Sequence, residues 1–543
     1  MLNGIWDFQV KGSDKIEKIP VPSCWEMFPD YSTYRGQATY TREITVKETT
    51  NLRLVFKGVS HTGRVYLNGE YIGQHYNAFP PFDFVVKGVK PGVYELKVEV
   101  DNSFGEHSAL HIPNDYYTYG GITRAVAIEY LKDAFIERVE FVSKEMGSGW
   151  QVSVKAYVKI IDDGGLGDIS VRATLTNQEI SFSQVSNHSE YLIFEGFADF
   201  ESVETWSHEA PNLYFLETFL LEDGFELDDL IERVGFREVR VEKDKILLNG
   251  QPLFLKGFNR HEDHPGYGCA LGLTAMAKDI ALLKDLGSNT VRTSHYPNDE
   301  LFLDLCDEHG LYVWEENHAR GLSEERMRNP NFDQQCEDCI DEMVKNHFNH
   351  PSIIIWAVLN ECASNTEYGR KCYEKQIRQI KALDASRPVT FATCHQGTEM
   401  SLEFADIISW NLYYGWYESV STAEAFEKLL AYSDAFGGAG KPFIMSEFGG
   451  GAIPGYRDPR RVKWSEERQC DILADNLDVY LHHPRISGAL VWQFCDCLVT
   501  EEEWFAQRPR TKNNKGIVDE FRRPKLAYEV VKERFRNLER GDD

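Results

Sequence analysis

With 543 residues, 42% of them hydrophobic and 27% charged, the chain has an ordinary soluble composition and is too long for one hydrophobic core, so roughly two to four domains are expected. A formal net charge of −28 repels polyanions at long range, which argues against nucleic acid or an anionic membrane as the main partner. No run of about 18 apolar residues is present to span a bilayer, and any anionic substrate would need a local basic cluster to hold it.

The first residues, Met1-Leu2-Asn3-Gly4-Ile5-Trp6-Asp7-Phe8, lack the basic start and apolar core of a secretory signal, so the expected compartment is the cytoplasm. The 11 cysteines are odd in number and scattered, with none between Cys24 and Cys269, a usage that favours reduced thiols over a disulfide framework. Cys336-x-x-Cys339 has no second pair at zinc-finger spacing, and no structural metal is expected there.

Residues 1–132 are strand-rich. Ala38 to Val46, Leu52 to Phe56 and Tyr94 to Val100 alternate or are β-branched, and Val65 to Gly73 predicts a hairpin turning at Asn68-Gly69. An antiparallel sandwich of jelly-roll type follows. Residues 133–239 again read as short strands, among them Gln151 to Val158, Ile169 to Leu175 and Tyr214 to Leu220, which fits an immunoglobulin-like sandwich. The acidic stretch Glu222 to Asp229 is read as a solvated turn.

Over residues 240–543 short apolar runs alternate with amphipathic helical stretches, the βαβ signal. Eight runs begin at Leu253, Thr290, Leu311, Ile353, Thr390, Ile407, Phe443 and Gly488, and the intervening helices include Ala275 to Leu286, Leu301 to Glu308, Asp333 to Phe348 and Glu466 to Leu481. Eight units over this length predict a closed (β/α)₈ barrel, whose chemistry lies at the C-terminal ends of its strands. The run Ile353 to Leu359 ends in Asn360-Glu361, and Lys441 to Ser446 ends in Glu447, placing two glutamates after strands four and seven.

Two carboxyls at strand ends are what cleavage of a glycosidic bond requires: a protonated one for the leaving oxygen and, for retention, an ionised one about 5–5.5 Å away to attack the anomeric carbon. Spacing alone does not say which is which. Other strand ends carry polar groups that a purely structural barrel would not need: Asn259 to His264 after strand one, and Arg292 to Pro297, including His295, after strand two. An arginine beside a glutamate lowers its pKa, as suits a nucleophile. His261 and His264 are alternatively metal ligands. Tyr413, Tyr417 and Trp492 offer aromatic walls for a pyranose ring.

The patterns Asn289 to Pro297, Asp307 to Trp314, and Asn346 to Ser352 running into Trp356 and Asn360-Glu361 make the chain resemble glycoside hydrolase family 2 over essentially its whole length. The resemblance implies a jelly-roll domain, an immunoglobulin-like domain and a catalytic barrel, and a retaining mechanism with Glu361 as acid/base and Glu447 as nucleophile. Asn360 would donate to the sugar 2-hydroxyl, and Asp115 would reach sugar hydroxyls from the first domain. Asn513-x-Lys515 is similar to the pair by which β-glucuronidases hold the C6 carboxylate, with Arg510, or else Arg508, as its arginine. Asn317 to Asn331 is shorter than the active-site loop of some bacterial β-glucuronidases, which implies a more open aglycone site. The expectation is therefore an exo-acting β-glucuronidase acting on small-molecule or oligosaccharide glucuronides, without cofactor or metal, with a homo-oligomer left open. A β-galacturonidase, a β-galactosidase with a magnesium site, and a catalytically silent carbohydrate-binding protein are the alternatives.

Overall fold

A computed structural model describes residues 1–162, 164–187 and 191–540; the last three residues of the expected barrel domain lie outside it. The first domain stacks a six-stranded antiparallel sheet against a three-stranded one, with Trp6, Phe8, Tyr40, Leu54 and Val98 in the core between them. The alternation read from the sequence is the cause, because every second side chain of Gln37–Val46 and Gly92–Asp101 turns toward the second sheet. The hairpin forms where expected: Thr62–Leu67 pairs with Glu70–Tyr76, and Asn68 and Gly69 take φ of 49° and 81°, the left-handed pair that a two-residue turn demands.

Seven antiparallel strands from Ala134–Met146 to Phe225–Val234 make the second domain, around a core that includes Val152, Val154, Leu216 and Phe236. Its acidic stretch differs from expectation. Only Asp223 and Gly224 form a turn, and Phe225 to Asp229 continue as strand, because pairing with Tyr214–Glu222 satisfies their backbone while the acids remain at the surface.

The barrel strands are β1 Leu255–Asn259, β2 Thr290–Thr293, β3 Tyr312–Glu316, β4 Ile353–Ala357, β5 Val389–Thr390 with Ala392–Thr393, β6 Ile408–Asn411, β7 Phe443–Phe448 and β8 Ile486–Val491. All pair in parallel around the ring, and Phe391 interrupts β5. Every residue of β1 through β4 is buried, as expected of strands with helices outside and a filled interior within. Gly257 on β1 is required by proximity, since a Cβ there would lie 1.8 Å from the Thr290 carbonyl oxygen on β2.

The first domain docks beside the C-terminal rim of the barrel through polar contacts. Arg124 donates to Glu262 at 2.8 Å and to the Pro297 carbonyl at 2.9 Å, Tyr119 donates to Asp263 at 3.0 Å, and Asn114 and Thr500 bond to each other's backbone or hydroxyl. Both members of the Arg124–Glu262 pair are buried. Removing one partner of such a pair strands the other charge in a dry site. Arg124→Met is therefore expected to lower stability by about 3–5 kcal/mol, read as a fall in thermal midpoint by calorimetry; an unchanged midpoint would mean that Glu262 is not stranded.

Candidate active site

β4 ends at Ala357, earlier than the apolar run, and Glu361 stands four residues further on. Leu359 and Glu361 have φ of 38° and 52°, a left-handed backbone that L-residues adopt at a cost. Three bonds hold this turn: Leu359 N–H to Asn317 Oδ1 at 2.8 Å, Asn360 N–H to the Ala319 carbonyl at 3.0 Å, and Glu361 N–H to the Ala392 carbonyl at 2.9 Å. Glu447 sits within β7 itself, one residue before its end. Both glutamates line one cavity of about 290 Å³, together with Asp115, Tyr413, Arg508 and Lys515.

Arg292 organises the inner end of this cavity. Its Nη1 donates to Asn259 and Glu447, both at 2.7 Å; Nη2 donates to Glu316 at 2.9 Å and Asn360 at 2.7 Å; and Nε donates to Glu316 at 2.8 Å. Because a guanidinium only donates, Asn360 must turn its Oδ1 inward, where Asn411 also donates to it at 2.9 Å. The Asn360 Nδ2 is left buried without a partner among the described residues, a donor available to a ligand. Tyr413 donates to Glu447 Oε2 at 2.6 Å. Glu361 accepts from Asn411 at 3.0 Å and from Arg320 at 3.3 Å, and is the more exposed of the two acids.

The arginine does not hold Glu447 low, as the sequence had led us to expect. Burial pushes its carboxyl up to about 7, Arg292 pulls it back, and the charge on Glu361 adds to the rise. The loss of hydration in the barrel mouth outweighs the nearby cation. His295 lies stacked on Trp492, ring centroids 5.0 Å apart, with Nδ1 2.8 Å from Glu316 and Nε2 3.8 Å from Glu447; burial holds it well below the usual histidine range, so it is neutral.

At the other end of the cavity the expected basic cluster forms, with one exchange. Arg508, rather than Arg510, lines the cavity. Arg510 turns away to Glu520 and Asn514, because the Glu520 carboxylate competes for it. Arg508 clamps Asp115 through Nε at 3.0 Å and through Nη2, and Asn513 donates to the same carboxylate at 3.0 Å, so the Asn513 amide lies against Asp115. Lys515 is buried, donates to Tyr417 at 2.9 Å and lies 4.0 Å from the centre of the Tyr413 ring. It makes no ion pair among the described residues, and burial lowers its pKa. Tyr417 is 59% exposed; desolvation of its hydroxyl opposes ionisation, but Lys515 and Arg508 outweigh it and bring that phenol below its usual range.

Four residues escaped the sequence reading. Glu316 is the last residue of strand three and Arg320 follows it, where Glu315-Glu316-Asn317-His318 is as polar as the ends of strands one and two. Asn411 stood at the end of a run without a role. Trp504 faces the cavity from a short 3₁₀ turn, next to Arg508, and had no pattern to reveal it.

His261 and His264 do not form a metal pair. His261 contacts Tyr296, while His264 accepts from Gly266 within its own turn. Cys336 and Cys339 are core residues. Asp304, Asp307 and His350 cluster where the helix Glu300–His309 ends and β4 begins, but Arg233 and a His350 raised to about 9 already neutralise those acids. No helix among the described residues is long and apolar enough to cross a membrane.

A (β/α)₈ barrel with two glutamates facing one sugar-sized cavity from strands four and seven defines a glycosidase. Family profiles agree along the chain: the glycosyl hydrolases family 2 sugar binding domain over residues 2–131, the central family 2 domain over 134–237, and the family 2 TIM barrel domain over 239–540. The chain belongs to glycosyl hydrolase family 2. It is 49% identical to a family 2 β-galacturonidase from Eisenbergiella tayi solved with galacturonate, with a TM-score of 0.94 covering 98% of this chain and 96% of that one. It is also similar to the β-glucuronidase of Streptococcus agalactiae, 27% identical over 99% of this chain and 96% of the relative. A Ruminococcus gnavus β-glucuronidase structure is 26% identical, with a TM-score of 0.87 over 98% of this chain and 97% of that one.

Arg292→Met removes the nearest cation to Glu447. The carboxyl is then expected to rise further above 7, moving the acid limb of the pH–kcat/KM profile up by about one unit or more while turnover falls; an unmoved limb would show that Arg292 does not set this titration.

Proposed function

We propose that the chain is an exo-acting β-uronidase that releases D-galacturonate from β-galacturonides with retention. The observation that carries the uronide reading is the charge balance at the outer end of the cavity. Arg508 and Lys515 supply two positive charges, Asp115 supplies one negative and pairs with Arg508, and the remaining charge sits on a buried lysine that makes no ion pair among the described residues. A sugar C6 carboxylate supplies the missing partner, and a desolvated charge-assisted bond of this kind is strong. A neutral galactoside would leave Lys515 buried and uncompensated.

The stereochemistry at C4 is favoured toward galacturonate by the 49% identical E. tayi enzyme, which outweighs the 26–27% identical glucuronidases. The second reading, glucuronide hydrolysis, rests on those glucuronidases and on the same clamp, which does not distinguish C4 epimers.

In the proposed mechanism Glu361, the more exposed acid, gives its proton to the glycosidic oxygen as a Glu447 oxygen attacks the anomeric carbon. The aglycone alcohol leaves and a glycosyl ester remains. Glu361 then takes a proton from water, which attacks the same carbon and frees Glu447. Asn360 Nδ2 is the donor for the 2-hydroxyl, Tyr413 and Arg292 fix the attacking carboxylate, and Trp492 walls the ring. Attack needs the ionised form of Glu447, so kcat/KM is expected to fall about tenfold per unit as pH drops below about 7.

Chromogenic β-galacturonide, β-glucuronide and β-galactoside assayed side by side test the substrate. The galacturonide should be turned over best and the galactoside at least about 100-fold more slowly; preference for the galactoside would sink the uronide reading. Lys515→Ala should cost the uronide roughly 100-fold or more in kcat/KM and spare the galactoside. Glu447→Gln should lose at least about 1,000-fold in turnover, and near-native activity would remove it as nucleophile.

A further inference from the structure

The chain's 11 cysteines are free thiols, and two of them meet across the domain boundary. Cys24, fully buried in the first domain, has its sulfur 3.6 Å from that of Cys269, which is half-buried on the loop that follows β1. The approach is tight on both sides. Gly268 holds φ of +59°, and a Cβ there would lie 2.8 Å from Cys24 Sγ; a Cβ on Gly121 would lie 2.6 Å from the carbonyl oxygen of Ser23, the residue before Cys24.

We propose that Cys24 and Cys269 are a redox-responsive pair, closing under peroxide to a disulfide that staples the first domain to the barrel beside the active site. The two sulfurs need to close by about 1.5 Å to reach bonding distance, and the half-buried one is open to a small oxidant. Burial pushes the Cys24 thiol well up, which leaves Cys269 as the first to react.

The chemistry balances with a peroxide as oxidant. The Cys269 thiolate attacks one peroxide oxygen, the O–O bond breaks, and hydroxide leaves, giving a sulfenic acid. The Cys24 sulfur attacks that sulfur, the S–S bond forms, and the sulfenic oxygen departs as water with the Cys24 proton. Each sulfur is oxidised by one electron, and the peroxide takes both.

The position gives the bond a consequence. Ser23 N–H bonds to the Ile122 carbonyl at 2.9 Å, Trp25 N–H bonds to the Gly120 carbonyl at 3.0 Å, and Glu26 accepts from Gly120 N–H at 2.9 Å. Cys24 is thus tied to the end of the segment that delivers Asp115 to the cavity. Cys269 belongs to the same loop as Asp263, whose carboxylate already accepts from Tyr119 and from Leu498 N–H. The cross-link would fix the sandwich segment and the barrel loop in register and resist separation of the domains.

The native enzyme, treated with hydrogen peroxide, alkylated and digested without reductant, should yield a Cys24 peptide joined to a Cys269 peptide with the loss of two hydrogen atoms. Dithiothreitol should release it. The thermal midpoint of the oxidised enzyme should rise by about 5 °C, return on reduction, and not respond in Cys269→Ser, a variant that spares the buried Cys24. If the exposed Cys394 is oxidised while Cys24 and Cys269 remain alkylatable and no joined peptide is found, the proposal is overturned.

Discussion

Arg292 is the constraint on which the rest of the barrel mouth depends. A guanidinium carries five N–H donors in a fixed plane and does not lose its proton, so once buried it must find acceptors in five set directions. Here they come from β1 (Asn259), β3 (Glu316), β7 (Glu447) and the turn after β4 (Asn360), while Arg292 itself lies on β2. The group fixes where each strand end stands relative to the others. It also decides which way the Asn360 amide faces, and with it which atom is offered to a sugar.

That arrangement divides the electrostatics of the cavity. The inner end carries the buried Arg292 against Glu316 and Glu447, with Glu361 close by, and burial, helped by the charge on Glu361, raises Glu447 against the pull of Arg292. Two cations face one anion at the outer end. Under the proposed function, the difference between them would draw a ligand with a carboxylate at one end and a reacting centre at the other into a single orientation. On a protein of net charge −28 such a positive spot attracts only at short range, which serves selectivity more than capture.

The outer end is also a joint between domains. Asp115 arrives on a loop of the first sandwich, is clamped by Arg508 from the barrel, and brings Asn513 with it. The buried Arg124–Glu262 pair and the Tyr119–Asp263 bond hold the same loop region against the barrel rim. The site is complete only when the sandwich is docked, so stability of the domain boundary and integrity of the clamp are one property.

Much of this was legible in the sequence because it is written in local patterns. Alternation gave the sandwich strands, Asn68-Gly69 its hairpin, and the apolar runs with polar tips both the barrel and the two glutamates, since strand period and strand-end chemistry are short-range properties. Trp504 had no such pattern, and the polar end of strand three did not say what Glu316 and Arg320 do; they matter through partners that the fold brings from elsewhere in the chain. The choice of Arg508 over Arg510 was invisible for the same reason: two arginines two residues apart look alike until one meets Asp115 and the other Glu520. Likewise a lysine in a basic run reads as solvated, and only its burial without an anion turns it into a specific demand on the ligand. Sequence by itself determined the barrel, its pair of acids and the family; tertiary structure decided their charge states and the shape of the clamp, because desolvation and long-range pairing exist only once the chain has closed on itself.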